Sequence, residues 1–148
     1  MFRCVVILLL LFSKLVFAQD IDLSDYEWKN RIVLIVSDES KSILLEEQLL
    51  EFKGDNQGFY ERKLLVLDVR KDRFRRISFS NSDRITEDWE YSSKLFNEFS
   101  DKNSVFKVLL IGLDGGVKER YKNETFPKSK LFEAIDGMFL RKLELNQN

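Results

Sequence analysis

Ile32-Val33-Leu34-Ile35-Val36 is a run of five apolar residues, four of them β-branched, with no polar residue between them. A strand with one wet face alternates apolar and polar residues, so an unbroken run of this length is the pattern of a strand covered on both faces. Leu64-Leu65-Val66-Leu67-Asp68-Val69 is a second such strand apart from Asp68, and Val105 to Leu113 a third apart from Lys107. A sheet with several such strands needs helices above and below, which restricts the chain to a layered α/β architecture.

The segments between these runs supply the helices. From Ser42 onward, Leu45, Leu49 and Phe52 recur at spacings of four and three with Glu46, Glu47 and Glu51 on other faces, and Gly54 marks a stop. Strand 31–36, this helix and strand 64–69 form a βαβ unit, for which a right-handed crossover and parallel pairing are expected. Residues 70–91 form an excursion without strong periodicity. Ile77 and Phe79 alternate with Arg76, Ser78 and Ser80 as a short edge strand would, and Asn81-Ser82-Asp83 breaks the pattern. Tyr91 or Ser92 to Phe99 returns to helical spacing. After strand 105–113, Val117 to Lys122 is a fourth strand, and Pro127 with Ser129 opens a last helix carrying Leu131, Phe132, Ile135, Met138 and Phe139.

The resulting order, β-α-β-α-β-β-α, is that of the thioredoxin fold. The expectation is a mixed four-stranded sheet with its first and third strands central and helices on both faces.

The stretch Val108 to Arg120, VLLIGLDGGVKER, joins the last two strands. Read as a nucleotide loop it fails, since Gly112, Gly115 and Gly116 lack the G-x-G-x-x-G spacing, no helix start follows, and no Gly-Lys-Ser/Thr is present. Asp114-Gly115-Gly116 between two strand patterns is a hairpin signal, because such turns require positive φ.

The N-terminus carries a different message. Met1-Phe2-Arg3 is a short basic lead, Cys4 to Phe12 an apolar core, and Val16-Phe17-Ala18 a small-residue cleavage site before Gln19. The segment is shorter than the about 20 apolar residues of a bilayer span. Residues 1–18 therefore read as a signal peptide cleaved after Ala18, followed by one thioredoxin-like domain over 19–148, periplasmic or secreted, with no integral membrane span. Retention of the segment as an anchor is the alternative. Gln19, not cysteine, follows the cleavage site, which excludes lipidation there.

Cleavage removes Cys4, the one cysteine of the 148-residue chain, and the sequence has no histidine. The mature chain then has no disulfide, thiolate or imidazole chemistry. It retains 22 basic residues against 25 acidic ones, a net charge of −3, which argues against a general polyanion binder, and no nucleic-acid partner is expected.

Several pieces resemble a known family. Trp28-Lys29-Asn30-Arg31, Leu110-Ile111-Gly112-Leu113-Asp114-Gly115-Gly116-Val117-Lys118, and Ile135-Asp136-Gly137-Met138 with Arg141 are similar to the domain of unknown function numbered 4174, over roughly residues 24–142. Phe139 stands where that family's pattern has proline. The resemblance implies a peroxiredoxin-like fold without catalytic cysteines and no established activity; the family also occurs in extracellular sushi-repeat proteins of animals.

Three candidate chemistries remain. The loop Ser37-Asp38-Glu39-Ser40-Lys41-Ser42 occupies the place where thioredoxin-fold enzymes carry their nucleophile. Here it offers serines without a histidine base, and Ser40 or Ser42 suits a helix N-cap. An enzyme of unrecognised mechanism would use Asp38 or Glu39 there as its acid-base group. Asp38, Asp68 and Asp114 are oxygen donors for a divalent metal, but no loop has calcium-site spacing, and no cofactor is called for. Arg70-Lys71-Asp72-Arg73-Phe74-Arg75-Arg76 holds five basic residues in seven. In an exported acidic chain, Arg70, Lys71, Arg73, Arg75 and Arg76 are the candidate contact for a protein or anionic surface ligand, against the alternative of a solvated strand edge. Asn123-Glu124-Thr125 matches a glycosylation sequon, but a short bacterial-type signal argues against its use. The leading expectation is a non-catalytic, exported binding module.

Overall fold

A computed structural model of the chain describes residues 20–38 and 42–147; the expected signal peptide, Cys4, and Glu39, Ser40 and Lys41 of the 37–42 loop lie outside them. In chain order the elements are β1 (Arg31–Ser37), α1 (Ile43–Glu51), α2 (Asn56–Glu61), β2 (Leu64–Val69), β3 (Arg73–Phe79), β4 (Arg84–Thr86), β5 (Glu90–Tyr91), α3 (Lys94–Phe99), β6 (Phe106–Ile111), β7 (Val117–Lys122), α4 (Lys128–Asp136) and α5 (Phe139–Asn146), preceded by one 3-10 turn at Leu23–Tyr26.

Every residue of β1, β2 and β6 is buried, Asp68 and Lys107 included, as strands covered on both faces require. β1 pairs parallel with β2 and antiparallel with β6, and β6 pairs antiparallel with β7. The expected unit β2-β1-β6-β7 is therefore present, with the first strand and the strand ending at Ile111 in its centre. Strand alternation divides β1 between two cores. Val33 and Ile35 join Leu45, Phe52, Phe59, Leu131 and Ile135 from α1, α2 and α4, whereas Ile32, Leu34 and Val36 join Leu95 and Phe96 from α3. Helices thus cover both faces.

The sheet is larger than four strands. It has seven, in the order β4-β3-β2-β1-β6-β7, with β5 also on β3. The excursion 70–91 supplies the extra three. Arg70 N–H donates to the carbonyl of Arg73 at 2.7 Å, closing a tight turn, and β3 then runs antiparallel to β2 along Val66 to Val69. The strand is hard to read because its apolar residues are divided: Ile77 and Phe79 belong to the α1/α2/α4 core and Phe74 to the α3 core, with arginines between. The last helix also differs from expectation. It stops at Asp136, and a new helix, α5, begins at Phe139 after Gly137 and Met138.

Aromatic side chains fill the first core. Phe59 stacks on Phe79 at 4.4 Å between centroids and meets Phe52 and Phe132 edge-on at 5.2 and 5.3 Å. The fully buried Gln48 takes both backbone bonds of Phe126, donating to its carbonyl at 3.1 Å and accepting its N–H at 2.6 Å, which ties α1 to the entry of α4. Asn123 ends β7 at φ 54°, and its Oδ1 accepts from the N–H of Val105 and of Phe106.

The Asp114-Gly115-Gly116 segment is the expected hairpin turn. Gly112 N–H donates to the Gly116 carbonyl at 2.9 Å, and Gly115 N–H to the Gly112 carbonyl at 3.1 Å. Gly115 alone needs the left-handed region, at φ 74°, and a Cβ there would lie 2.6 Å from Glu27 Oε1. At Gly116 the nearest atom would be 3.4 Å away. Gly115→Ala is expected to lower unfolding stability by about 1–3 kcal/mol, and Gly116→Ala by less than about 1 kcal/mol; urea denaturation of the two variants checks the difference.

Candidate functional site

The basic run is divided by the strand that contains it. β3 directs Arg73 and Arg75 to the face of Ile77 and Phe79, and Arg76 to the face of Phe74. Arg76 is satisfied on its side: Nε donates to Tyr26 Oη at 2.8 Å, and Nη1 to Glu87 at 3.3 Å and to Glu90.

The other face is built on Asp68. This residue is fully buried in β2, opposite Arg75 in the register. Its Oδ1 accepts from Arg70 Nε at 2.7 Å, and its Oδ2 from Arg70 Nη2 at 3.2 Å and Arg75 Nε at 3.0 Å. A buried carboxylate needs such partners, since removing one side of a buried pair typically costs about 3–5 kcal/mol. Arg70, Arg73 and Arg75 also surround the Trp89 ring, with guanidinium carbons 5.7, 4.6 and 4.5 Å from its centroid. Arg84, opposite Phe79 in β4, adds a fourth cation beside Arg75. Burial, and then the charge of Arg75, push the Arg84 guanidinium down from its usual value. No carboxylate pairs with Arg84 among the described residues. Of these four arginines, Arg70 and Arg75 bond the buried Asp68, and Arg73 lies 4.0 Å from Asp72.

Of Arg70, Lys71, Arg73, Arg75 and Arg76, the expected contact face, the first four lie at one end of the sheet and Arg76 is turned to the other side. Trp89 and Arg84, which the sequence does not point to, lie beside them. Arg84 is placed by its pairing with Phe79 of β3, and Trp89 by the loop before β5.

This cluster borders the loop after β1. Lys71 Nζ lies 3.5 Å from Asp38 Oδ1, both side chains being largely exposed. Ser37 is buried at the strand end. Ser42 stands at the N-cap of α1 with its carbonyl accepting from the N–H of Leu45 and of Glu46, but its hydroxyl makes no cap bond. Asp38, Asp68 and Asp114 are not brought together: they face Lys71, Arg70 with Arg75, and Lys118 respectively. Among the described residues no group of three or more His, Cys, Asp or Glu is arranged to hold a metal ion.

Residues 22–144 match the model of the domain of unknown function DUF4174. The chain belongs to the DUF4174 family. Among solved structures, it is similar to the reduced 2-Cys peroxiredoxin of Plasmodium vivax, with a TM-score of 0.53 and 13% identity over 84% of this chain and 85% of that one. That likeness concerns the thioredoxin-type fold. No curated protein matches the chain. This DUF4174 chain has no helix, among the described residues, long and apolar enough to cross a membrane.

Ion pairs elsewhere set the pH response. Hydrogen bonds from Lys107, Lys122 and Ser104 hold the Asp101 carboxyl far below its ordinary value, and one from Lys118 does the same, less strongly, for Asp114. Burial raises Glu144, but bonds from Lys63 and Arg31 outweigh it and leave the group lowered. A carboxyl with a depressed folded pKa contributes stability above its unfolded pKa, and that contribution is lost as pH falls through the folded value. Histidine is absent, so no side chain of ordinary pKa titrates near neutrality. Stability is expected to be nearly flat from about pH 5.5 to 8 and to fall progressively below about pH 4. Thermal melts across that range check the profile, and a step near pH 6.5 would contradict it.

Proposed function

We propose that this chain is a non-catalytic thioredoxin-fold module, exported with its first eighteen residues removed, that binds an acidic partner through the arginine face of β3. The observation that carries the reading is the uneven charge of that face: Arg70, Arg73 and Arg75 surround Trp89, Arg84 lies beside Arg75, and among the described residues Asp68 is the buried carboxylate there, bonded to Arg70 and Arg75. Guanidinium groups are suited to bidentate capture of carboxylates, and an aromatic ring among them supplies contact area that excludes water. Exposed Tyr91, opposite Arg73 in β5, extends the surface. An acidic protein face fits this mixture of arginine and apolar area better than a nucleic acid does, because the chain as a whole is negative.

The non-catalytic part rests on the residue inventory. Thiol chemistry at the end of β1 requires a sulfur, and Cys4 precedes the domain. Serine chemistry there requires a base, and Asp38 is directed to Lys71.

Retention on immobilised polyglutamate tests the surface. The wild-type chain is expected to be retained at low salt despite its net negative charge and to elute as screening rises. Lys71→Glu/Arg73→Glu/Arg84→Glu is expected to reduce retention about tenfold or more, equivalent to roughly 1.4 kcal/mol, whereas Arg120→Glu on the opposite sheet edge changes it little. Equal retention of both variants overturns the reading. Mass analysis of the exported protein is expected to find Gln19 at its N-terminus.

A further inference from the structure

A second feature lies at the other end of β1 and does not depend on the arginine face. Arg31 opens the strand, and its side chain has no exposed surface. Nη1 is bonded, donating to the Arg62 carbonyl at 3.0 Å and to Glu144 Oε2 at 3.2 Å. Nε and Nη2 are buried with no hydrogen-bond partner among the described residues. Glu144 does not compensate for them, because it also serves Lys63 at 3.1 Å and Arg141 at 3.4 Å. A buried guanidinium left with two open donors is costly, and native structures satisfy such donors.

Arg31 borders a cavity of about 310 Å³ between the Gly112–Asp114 turn and the start of α5. Three features make this cavity a receptor for an anion with an apolar body. First, α5 begins here without a side-chain cap, Met138 being its N-cap, so its first-turn N–H groups and positive dipole end face the same region. Second, Leu113, Met138, Phe139 and Leu140 give the walls an apolar character, and Phe139 at the rim is 73% exposed. Third, Gly112 lets Lys118 lie against the wall, since a Cβ there would stand 2.6 Å from Lys118 Cε; Lys118 is itself paired with Asp114 at 2.7 Å. Of the two cations bordering the cavity, Arg31 is then the one with donors left open, at Nε and Nη2.

We propose that this cavity binds a small organic monocarboxylate, with the carboxylate accepting from Nε and Nη2 of Arg31 and the apolar body lying against Met138, Phe139 and Leu113. The volume accommodates about ten non-hydrogen atoms if each takes roughly the 30 Å³ of a water molecule, the size of a medium-chain fatty acid or a phenylalkanoate. The side-on Nε/Nη2 pair matches the two carboxylate oxygens. Entry draws Phe139 and Leu140 back at the rim, which exposes the guanidinium to the ligand.

Titration of the full domain with octanoate, followed by amide NMR, tests the site, with octanamide as the uncharged isostere. Octanoate is expected to give saturable shifts at Gly112, Leu113 and Leu140, with Kd near about 1 mM or tighter, and octanamide to bind at least about tenfold more weakly. Arg31→Gln is expected to abolish the preference for the charged ligand. Should that variant fail to fold, Phe139→Ser, at an exposed position, is expected to weaken octanoate about fivefold through lost apolar contact. Absence of saturable shifts up to about 10 mM, equal binding of octanamide, or unchanged affinity in Phe139→Ser overturns the proposal.

Discussion

Every residue of strand β1 is buried, and the rest of the molecule is arranged to make that tolerable. Its backbone is satisfied by β2 on one side and β6 on the other, so neither edge is open. Its apolar side chains, divided between two faces, require two separate cores, and these in turn require helices on both sides of the sheet. No disulfide assists within the described chain. The stability must come from area and packing, in which Phe59, Phe52, Phe79 and Phe132 have a leading share.

The same burial creates the two polar features of interest, one at each end of the central strands. At the start of β1, Arg31 is enclosed with part of its hydrogen-bonding capacity unmet. Near the end of β2, Asp68 is enclosed and draws in Arg70 and Arg75, which hold β3 in register and pack with Arg73 around Trp89. A run of arginines that would be solvated on a loop becomes an organised surface because one carboxylate lies beneath it. The position at which thioredoxin-type folds carry a nucleophile lies next to this surface, linked to it through Asp38 and Lys71.

How far the sequence discloses this follows from which constraints are local. The continuous runs 31–36, 64–69 and 105–113 and the Asp-Gly-Gly turn act through neighbouring residues, and each is found where periodicity and turn chemistry place it. β3 was legible only at Ile77 and Phe79. Its arginines look like a solvated run, and the partners that make them structural, Asp68, Tyr26, Glu87 and Glu90, come from other elements. The break between α4 and α5 was hidden because apolar residues continue at helical spacing through Met138 and Phe139. Arg31 gave no signal as a binding residue, since its burial depends on α5, more than a hundred residues later. Arg84 gives no signal because its place beside Arg75 follows from strand register, and Trp89 because its contacts with Arg70, Arg73 and Arg75 come from a loop between β4 and β5.

On the proposed function, the partner meets the arginine face of β3 and not the loop after β1. Mapping of amide and side-chain shifts during polyglutamate titration tests it most directly. The predicted result is a salt-sensitive footprint on Arg73, Arg75, Arg84 and the Trp89 indole, weakening as ionic strength rises. A footprint centred on residues 37–42, or one that salt leaves unchanged, would contradict it.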